Sequence, residues 1–237
     1  MQGDFDPSVV QAVLFDLDGT LIDTDDAVIE AWSNRLRLIS RNPHRLLRRL
    51  LMASETPTNA FITLLDVLHL DDDLFSLNDC LRRLRGLRTP ANFLAVDGVV
   101  DMIQALCQRY PLAVVTTRSR RDTWAFLNQY CIRDCFRVVI THEDTVRLKP
   151  HPEPIRRTAR ILGVPVERCL MVGDTTVDIL SARRAGAMAV GVLCGFGERT
   201  ELERAGAHAI LESTAELGAL LECTHGLSHL DLSPVCV

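Results

Sequence analysis

The chain of 237 residues is almost without lysine: of its 26 basic residues, every one except Lys149 is arginine. It has no excess of positive charge either; a formal net charge of -5 gives no hint of a nucleic-acid partner. No apolar run approaches the roughly 20 residues that span a bilayer, so no membrane helix is expected. The first ten residues carry acids and a proline in place of the basic-then-apolar order of a secretory signal, so a cytoplasmic protein is expected. The eight cysteines, Cys80, Cys107, Cys131, Cys135, Cys169, Cys194, Cys223 and Cys236, include no CxxC pair. They read as reduced, buried thiols that pack as small hydrophobes. Internal repeats and low-complexity segments are absent as well. What remains, 47% hydrophobic and 24% charged residues, is the composition of an ordinary globular protein. The length suits one large domain, or a core carrying a smaller inserted one.

Against this background one stretch stands out. Ala12 to Phe15 is a short β-favouring apolar run, read as a buried strand. Asp16 and Asp18 follow it, then Gly19 and Thr20. Residues two apart on an extended strand face the same way, so both carboxylates can approach one centre. Two such acids repel unless a cation lies between them. Gly19 lets the backbone turn away at once. A calcium-binding EF-hand loop is excluded, because Leu21 and Ile22 stand where oxygen ligands belong and a strand precedes the motif.

After Leu21 the pattern turns helical. Asp23, Thr24 and Asp25 offer a helix start, and four helical stretches follow before Val96 with no convincing strand among them. From Asp97 helices and strands alternate, the pattern of a parallel sheet. Helices are expected over 98–109, 119–130, up to Leu162 and up to Ala185. Strands are expected over 112–115, 137–140, 169–172, 188–193 and 209–211. Their polar ends are Asp16 and Asp18, then Thr116, Thr117 and Arg118, then Asp174, while Lys149 precedes a helix. Carboxyl ends of parallel strands lie along one edge, so these scattered groups can converge. A lysine is a compact point charge where arginine is a wide fork, which gives a reason for one amine among acids and a phosphate.

This constellation resembles the haloacid dehalogenase superfamily over nearly the whole chain. The four motifs of that superfamily stand in order: Asp16-Leu17-Asp18-Gly19-Thr20, then Thr116 at a strand end, then Lys149-Pro150, then Gly173-Asp174-Thr175-Thr176-Val177-Asp178. Residues 191–217 look like the C-terminal part of phosphoglycolate-phosphatase-like members. The resemblance implies an α/β fold: a Rossmann-like parallel sheet flanked by helices (1–22 and 94–237), with an all-helical cap inserted at 23–93.

The resemblance also implies roles. Asp16 is the nucleophile that forms an aspartyl-phosphate, and Asp18 the acid and base that moves the proton. Mg2+ is held by Asp16, by the Asp18 main-chain carbonyl and by Asp174, with Asp178 supporting from behind. Thr116, Thr117, Arg118 and Lys149 meet the phosphoryl group or substrate. Asp18 sets the chain apart from dehalogenases, and a cap without lysine argues against phosphonatase chemistry. The expected activity is hydrolysis of a small soluble phosphate monoester by a monomer or homodimer. A sugar phosphomutase and a non-catalytic phosphate-ligand-binding protein are the alternatives. His151 reads as structural, the cap arginines as a solvated face, and His225 with His229 as no metal pair.

Overall fold

The computed structural model describes residues 5–23 and 93–222. The expected helical insertion, its arginines, Cys80, Cys223, Cys236 and the His225/His229 pair lie outside the described residues. Six strands form one parallel sheet: β1 (Ala12–Phe15), β2 (Leu112–Val115), β3 (Phe136–Ile140), β4 (Cys169–Gly173), β5 (Met188–Val192) and β6 (Ala209–Leu211). Their order is β3-β2-β1-β4-β5-β6. The chain therefore builds outward from β1 on one side, then returns to β1's other side. Such a reversal of strand order opens a crevice at the carboxyl ends.

Among the described residues six helices cover the two faces: α1 (Val99–Leu106), α2 (Arg120–Gln129), α3 (Glu153–Leu162), α4 (Thr176–Ala185), α5 (Arg199–Ala205) and α6 (Leu217–Glu222). Side chains alternate across a strand, and the core divides accordingly. Val13, Phe15, Val114, Leu170, Val172 and Val190 pack with α1, α2 and α6. Ala12, Leu14, Ala113, Val115, Met171 and Ala189 pack with α3, α4 and α5. Both faces are covered, so the central strands are apolar throughout instead of alternating with polar residues.

The strands stand where the sequence places them, to within one residue at an end. Helix α1 stops at Leu106, short of the expected 109. The helices α5 and α6 were not expected; at seven and six residues they are too short to show a helical period. Cys107, Cys131, Cys135, Cys169 and Cys194 are free thiols, but only Cys169 is buried, and Cys131 is exposed. Apolar neighbours in sequence do not bury a cysteine that sits in a turn.

The described residues on either side of 24–92 lie side by side. Asp23 N donates to Leu94 O at 2.9 Å, and Ile22 bridges Ala95 in antiparallel fashion. The returning chain is fastened to the end of α2. Phe93 N donates to Gln129 Oε1, Phe93 O accepts from Gln129 Nε2 and the Tyr130 hydroxyl, and Ala95 N donates to the same hydroxyl oxygen.

Candidate active site

Register sets the level of the site. Phe15 pairs with Val114 on one side and with Val172 on the other. Asp16, Thr116 and Asp174 are therefore the first polar side chains beyond three adjacent strands. Asp16 N still donates to Val172 O at 2.9 Å, so its backbone belongs to the sheet while its side chain enters the crevice.

The turn after Asp16 is closed by Leu17 O, which accepts from Leu21 N and Ile22 N at 2.9 and 2.8 Å. Gly19 has a φ of 71°, a conformation that side-chain-bearing residues rarely adopt. Space gives it a second reason. A Cβ on Gly19 would stand 2.2 Å from Asp174 Oδ2, and one on Gly195 would stand 2.1 Å from the same oxygen. Two backbones thus close on the Asp174 carboxylate from different sides. The fully buried Asp174 accepts from Thr20 Oγ1 at 3.3 Å and from Phe196 N at 2.8 Å.

Lys149 is 3% exposed and lies at the centre of the acids. Its ammonium donates to Asp16 Oδ1 (2.7 Å), Asp178 Oδ1 (2.5 Å) and Val115 O (3.0 Å). Three acceptors take the three protons of an ammonium. Burial works against its charge, but Asp16 and Asp178 outweigh that and push its pKa above the usual lysine range. The Asp16 carboxyl is pushed up to about 7 by burial; Lys149 opposes the rise, and Asp178 and Asp18 add to it. Asp178 uses its other oxygen at the start of α4, where Oδ2 accepts from Thr175 N and Thr175 Oγ1 in a capping box. One residue thus caps a helix and anchors the lysine.

Asp18 has a different partner. Arg118 Nε donates to Asp18 Oδ2 at 3.0 Å and Arg118 Nη2 to Asp18 Oδ1 at 2.5 Å, a fork-to-fork pair. The guanidinium also lies 5.4 Å from the centre of the Phe93 ring. The Arg118 backbone is held as well: its N donates to Thr116 Oγ1, and its O faces His142 Nδ1.

A divalent cation can be tested against the donor set. Asp16, Asp174 and Asp178 are all buried and bring one oxygen each within 4.8 Å of one another. Hard carboxylate oxygens suit Mg2+. The Asp178 oxygens are tied to the Lys149 ammonium and to Thr175 at the start of α4. Asp174 instead accepts from the neutral donors Thr20 Oγ1 and Phe196 N, and with Asp16 makes the carboxylate pair fitted to the ion. The residues fit the group.

Of the residues expected from sequence, the structure brings Asp16, Lys149, Asp174 and Asp178 into contact around one point. It sets Thr116 beside them and places Asp18 with Arg118 at the rim. Thr117 is exposed on the following turn. His151 makes a structural contact, its Nδ1 accepting the Glu153 N–H at the start of α3. Sequence reading gave no role to Thr20, Thr175, Gly195, Phe196 or Phe93. Thr20 had one signal, its place directly after Gly19. The Phe196 contact is made by a backbone amide, which no side-chain pattern reveals.

Comparison with known proteins follows the same line. A family model described as haloacid dehalogenase-like hydrolase matches residues 13–192. The chain is 30% identical over 217 residues to pyrophosphatase PpaX of Anoxybacillus flavithermus, covering 91% of this chain and 98% of the relative. It is 30% identical over 229 residues to "Probable phosphatase IndB" of Dickeya dadantii, covering 94% and 97%. A crystal structure of a hydrolase from Pseudomonas syringae superposes with a TM-score of 0.64 at 25% identity, covering 90% of this chain and 98% of that one.

Proposed function

We propose that this chain, which belongs to the haloacid dehalogenase-like hydrolase family, is a magnesium-dependent phosphatase acting on a small soluble phosphate monoester. The observation that carries the reading is the buried lysine between Asp16 and Asp178, with Asp174 alongside. A fully buried cluster of three acids and one amine has no structural economy, since an apolar core of the same volume is as stable or more so. It makes sense as a receptor for a phosphoryl group and its metal.

In this reading an Asp16 oxygen forms a bond to phosphorus as the bond to the ester oxygen breaks, giving an aspartyl-phosphate. Asp18 gives its proton to the departing oxygen. In the second half Asp18 takes a proton from water, the water oxygen bonds to phosphorus, and the bond to Asp16 breaks. The products are alcohol and inorganic phosphate, with both aspartates restored. Lys149 keeps its charge throughout and offsets that of Asp16 and the transferring oxygens. Asp16, Asp174 and the Asp18 main-chain carbonyl would hold Mg2+, which supplies the positive charge that lets a carboxylate and a phosphate approach. Thr116 and the neighbouring amide of Thr117 donate to the phosphoryl oxygens, while the Arg118 amide stays on Thr116 Oγ1. Residues 23–93 act as a cap that shuts water out, and at its base Asp23 N donates to Leu94 O of the core.

Inorganic pyrophosphate is the second substrate put forward, because a relative aligned over 91% of this chain is named a pyrophosphatase. The test is phosphate release from a panel of phosphorylated metabolites and pyrophosphate, with MgCl2 and then with EDTA. Turnover that survives chelation refutes the metal-dependent reading. Turnover that survives Asp16→Asn refutes the nucleophile, and sugar phosphate isomerised without phosphate release would mark a phosphomutase instead.

A further inference from the structure

Lys149 and Arg118 are both bound to aspartates, but in opposite settings. The Lys149 pairs are buried, whereas the Arg118 and Asp18 side chains are 23% and 31% exposed. The Arg118 backbone is pinned at Thr116 and His142, and its guanidinium is steadied by the Phe93 ring. The side chain beyond the pinned backbone is the part that incoming substrate meets. Its fork matches a planar or multi-oxygen anion.

The pairing has a geometric consequence. Each Asp18 oxygen accepts a hydrogen bond from Arg118. The bidentate fork takes the inward-facing site of both oxygens, so a carboxyl that hands a proton from that side to a leaving oxygen gives up at least one Arg118 bond. A neutral leaving group offers Arg118 nothing in return. A leaving group carrying its own anion beside the bridging oxygen offers a replacement acceptor, and the fork moves from one anion to another without being stranded.

We propose that Arg118 is a specificity residue exchanged by substrate: it leaves Asp18 for an anionic group on the leaving side of the ester, freeing Asp18 to face the bridging oxygen. The substrate class that this favours is a phosphate ester or anhydride whose leaving group bears a phosphate or carboxylate next to the oxygen that departs. The proposal rests on the reading of Asp18 as the proton donor. One charge-assisted hydrogen bond is worth about tenfold to a hundredfold in rate, which sets the size of the expected discrimination.

The probes are phosphoglycolate and pyrophosphate, with anionic leaving groups, against ethyl phosphate and phenyl phosphate, with neutral ones. Ethyl phosphate and phosphoglycolate differ mainly by a methyl in place of the carboxylate. Arg118→Gln should lose about tenfold or more in kcat/KM on the anionic pair relative to the neutral pair, and Arg118→Lys, with charge but no fork, should fall between. A loss confined to phosphoglycolate would assign the carboxylate as the group read, and one confined to pyrophosphate the phosphate. Equal loss on all four esters, or none on any, overturns the proposal. Should Arg118→Gln fail to fold by circular dichroism, the ratio between the two pairs in Arg118→Lys decides, and a wild-type ratio overturns it. Asp18→Asn separates the two layers: wild-type kcat in that variant defeats the proton-donor reading itself. A slow Asp18→Asn beside an unchanged Arg118→Gln ratio defeats only the exchange.

Discussion

Lys149→Met keeps a side chain of similar length and removes the charge from the centre of the site. Asp16 and Asp178 are then two buried carboxylates with oxygens within 4.8 Å and no ammonium between them. At an effective dielectric constant near 20, two unit charges at that separation repel by about 3.5 kcal/mol. Removing one partner of a buried ion pair costs about 3–5 kcal/mol, so two independent routes give the same size. In a chain of this length each kcal/mol moves the melting temperature by about 2–4 °C, so a fall of about 6–20 °C is expected in EDTA. The Asp16 carboxyl is already held up at about 7 against the pull of Lys149. Without the lysine it takes a proton at neutral pH and below, which places the effect toward the lower end there and toward the upper end only in alkaline solution.

The source of that loss is tested by a cycle. Asp178→Asn alone deprives Lys149 of a charge and Thr175 of a capping acceptor, and destabilises the fold. Placed in the Lys149→Met background, the same change removes one of the two repelling charges. The double variant is therefore expected to be more stable than the sum of the single losses, with a coupling of about 2–3 kcal/mol. Calorimetry and urea unfolding in EDTA measure it. Additive losses, or a Lys149→Met variant melting within about 2 °C of wild type, would show that the lysine does not hold the acids together.

Further outcomes follow from the same geometry. Burial first, then Asp178 and Asp18 against the pull of Lys149, holds the Asp16 carboxyl up at about 7 from an ordinary 3.8. A raised acid contributes stability fully below the unfolded pKa and loses it as pH climbs through the folded one. Metal-free protein should therefore lose stability between about pH 4 and pH 7 on this account. A cation competes with that proton, so the gain in melting temperature from MgCl2 should be small at pH 5 and grow toward pH 8; a gain independent of pH contradicts this. Gly195→Ala puts a methyl against Asp174 Oδ2 and should lower turnover about tenfold or more by moving a metal ligand. Its magnesium-induced thermal shift should shrink too, and an unchanged shift would refute the close approach. Tyr130→Phe removes a hydroxyl shared by Phe93 O and Ala95 N and should cost about 1–2 kcal/mol. Faster hydrogen exchange at residues 93–95, with the rest of the sheet unchanged, is the accompanying signature.

Much of this architecture is legible in the sequence because the central strands are covered on both faces. Val13 and Phe15 serve one core and Ala12 and Leu14 the other, so β1 appears as an unbroken apolar run ending abruptly in acid. Parallel topology then does what spacing alone does not, bringing the ends of β1, β2 and β4 to one level. The lone lysine is legible for a related reason: a buried pocket with three acceptors accommodates a compact ammonium, and a wide guanidinium does not fit the same role. Helices α5 and α6 were hidden by their length, Thr175 by acting through a capping contact, Thr20 by bonding a carboxylate 154 residues away, and Phe196 by acting through a backbone amide.

Arg118 marks where such reading stops. Its position after Thr116 and Thr117 makes it a candidate for substrate contact, but nothing local ties it to Asp18, which lies 100 residues earlier. Strand order alone puts the two turns together, and the return of the chain at Phe93 supplies the ring beneath the guanidinium. Residues whose partners are fixed by their own strand can be inferred one motif at a time. A residue that balances an acid of one turn against the substrate needs both turns in place before its function has any meaning. Among the described residues the two cations of the site therefore divide the work by exposure: the buried lysine holds charges that must never move, and the partly exposed arginine holds one that has to.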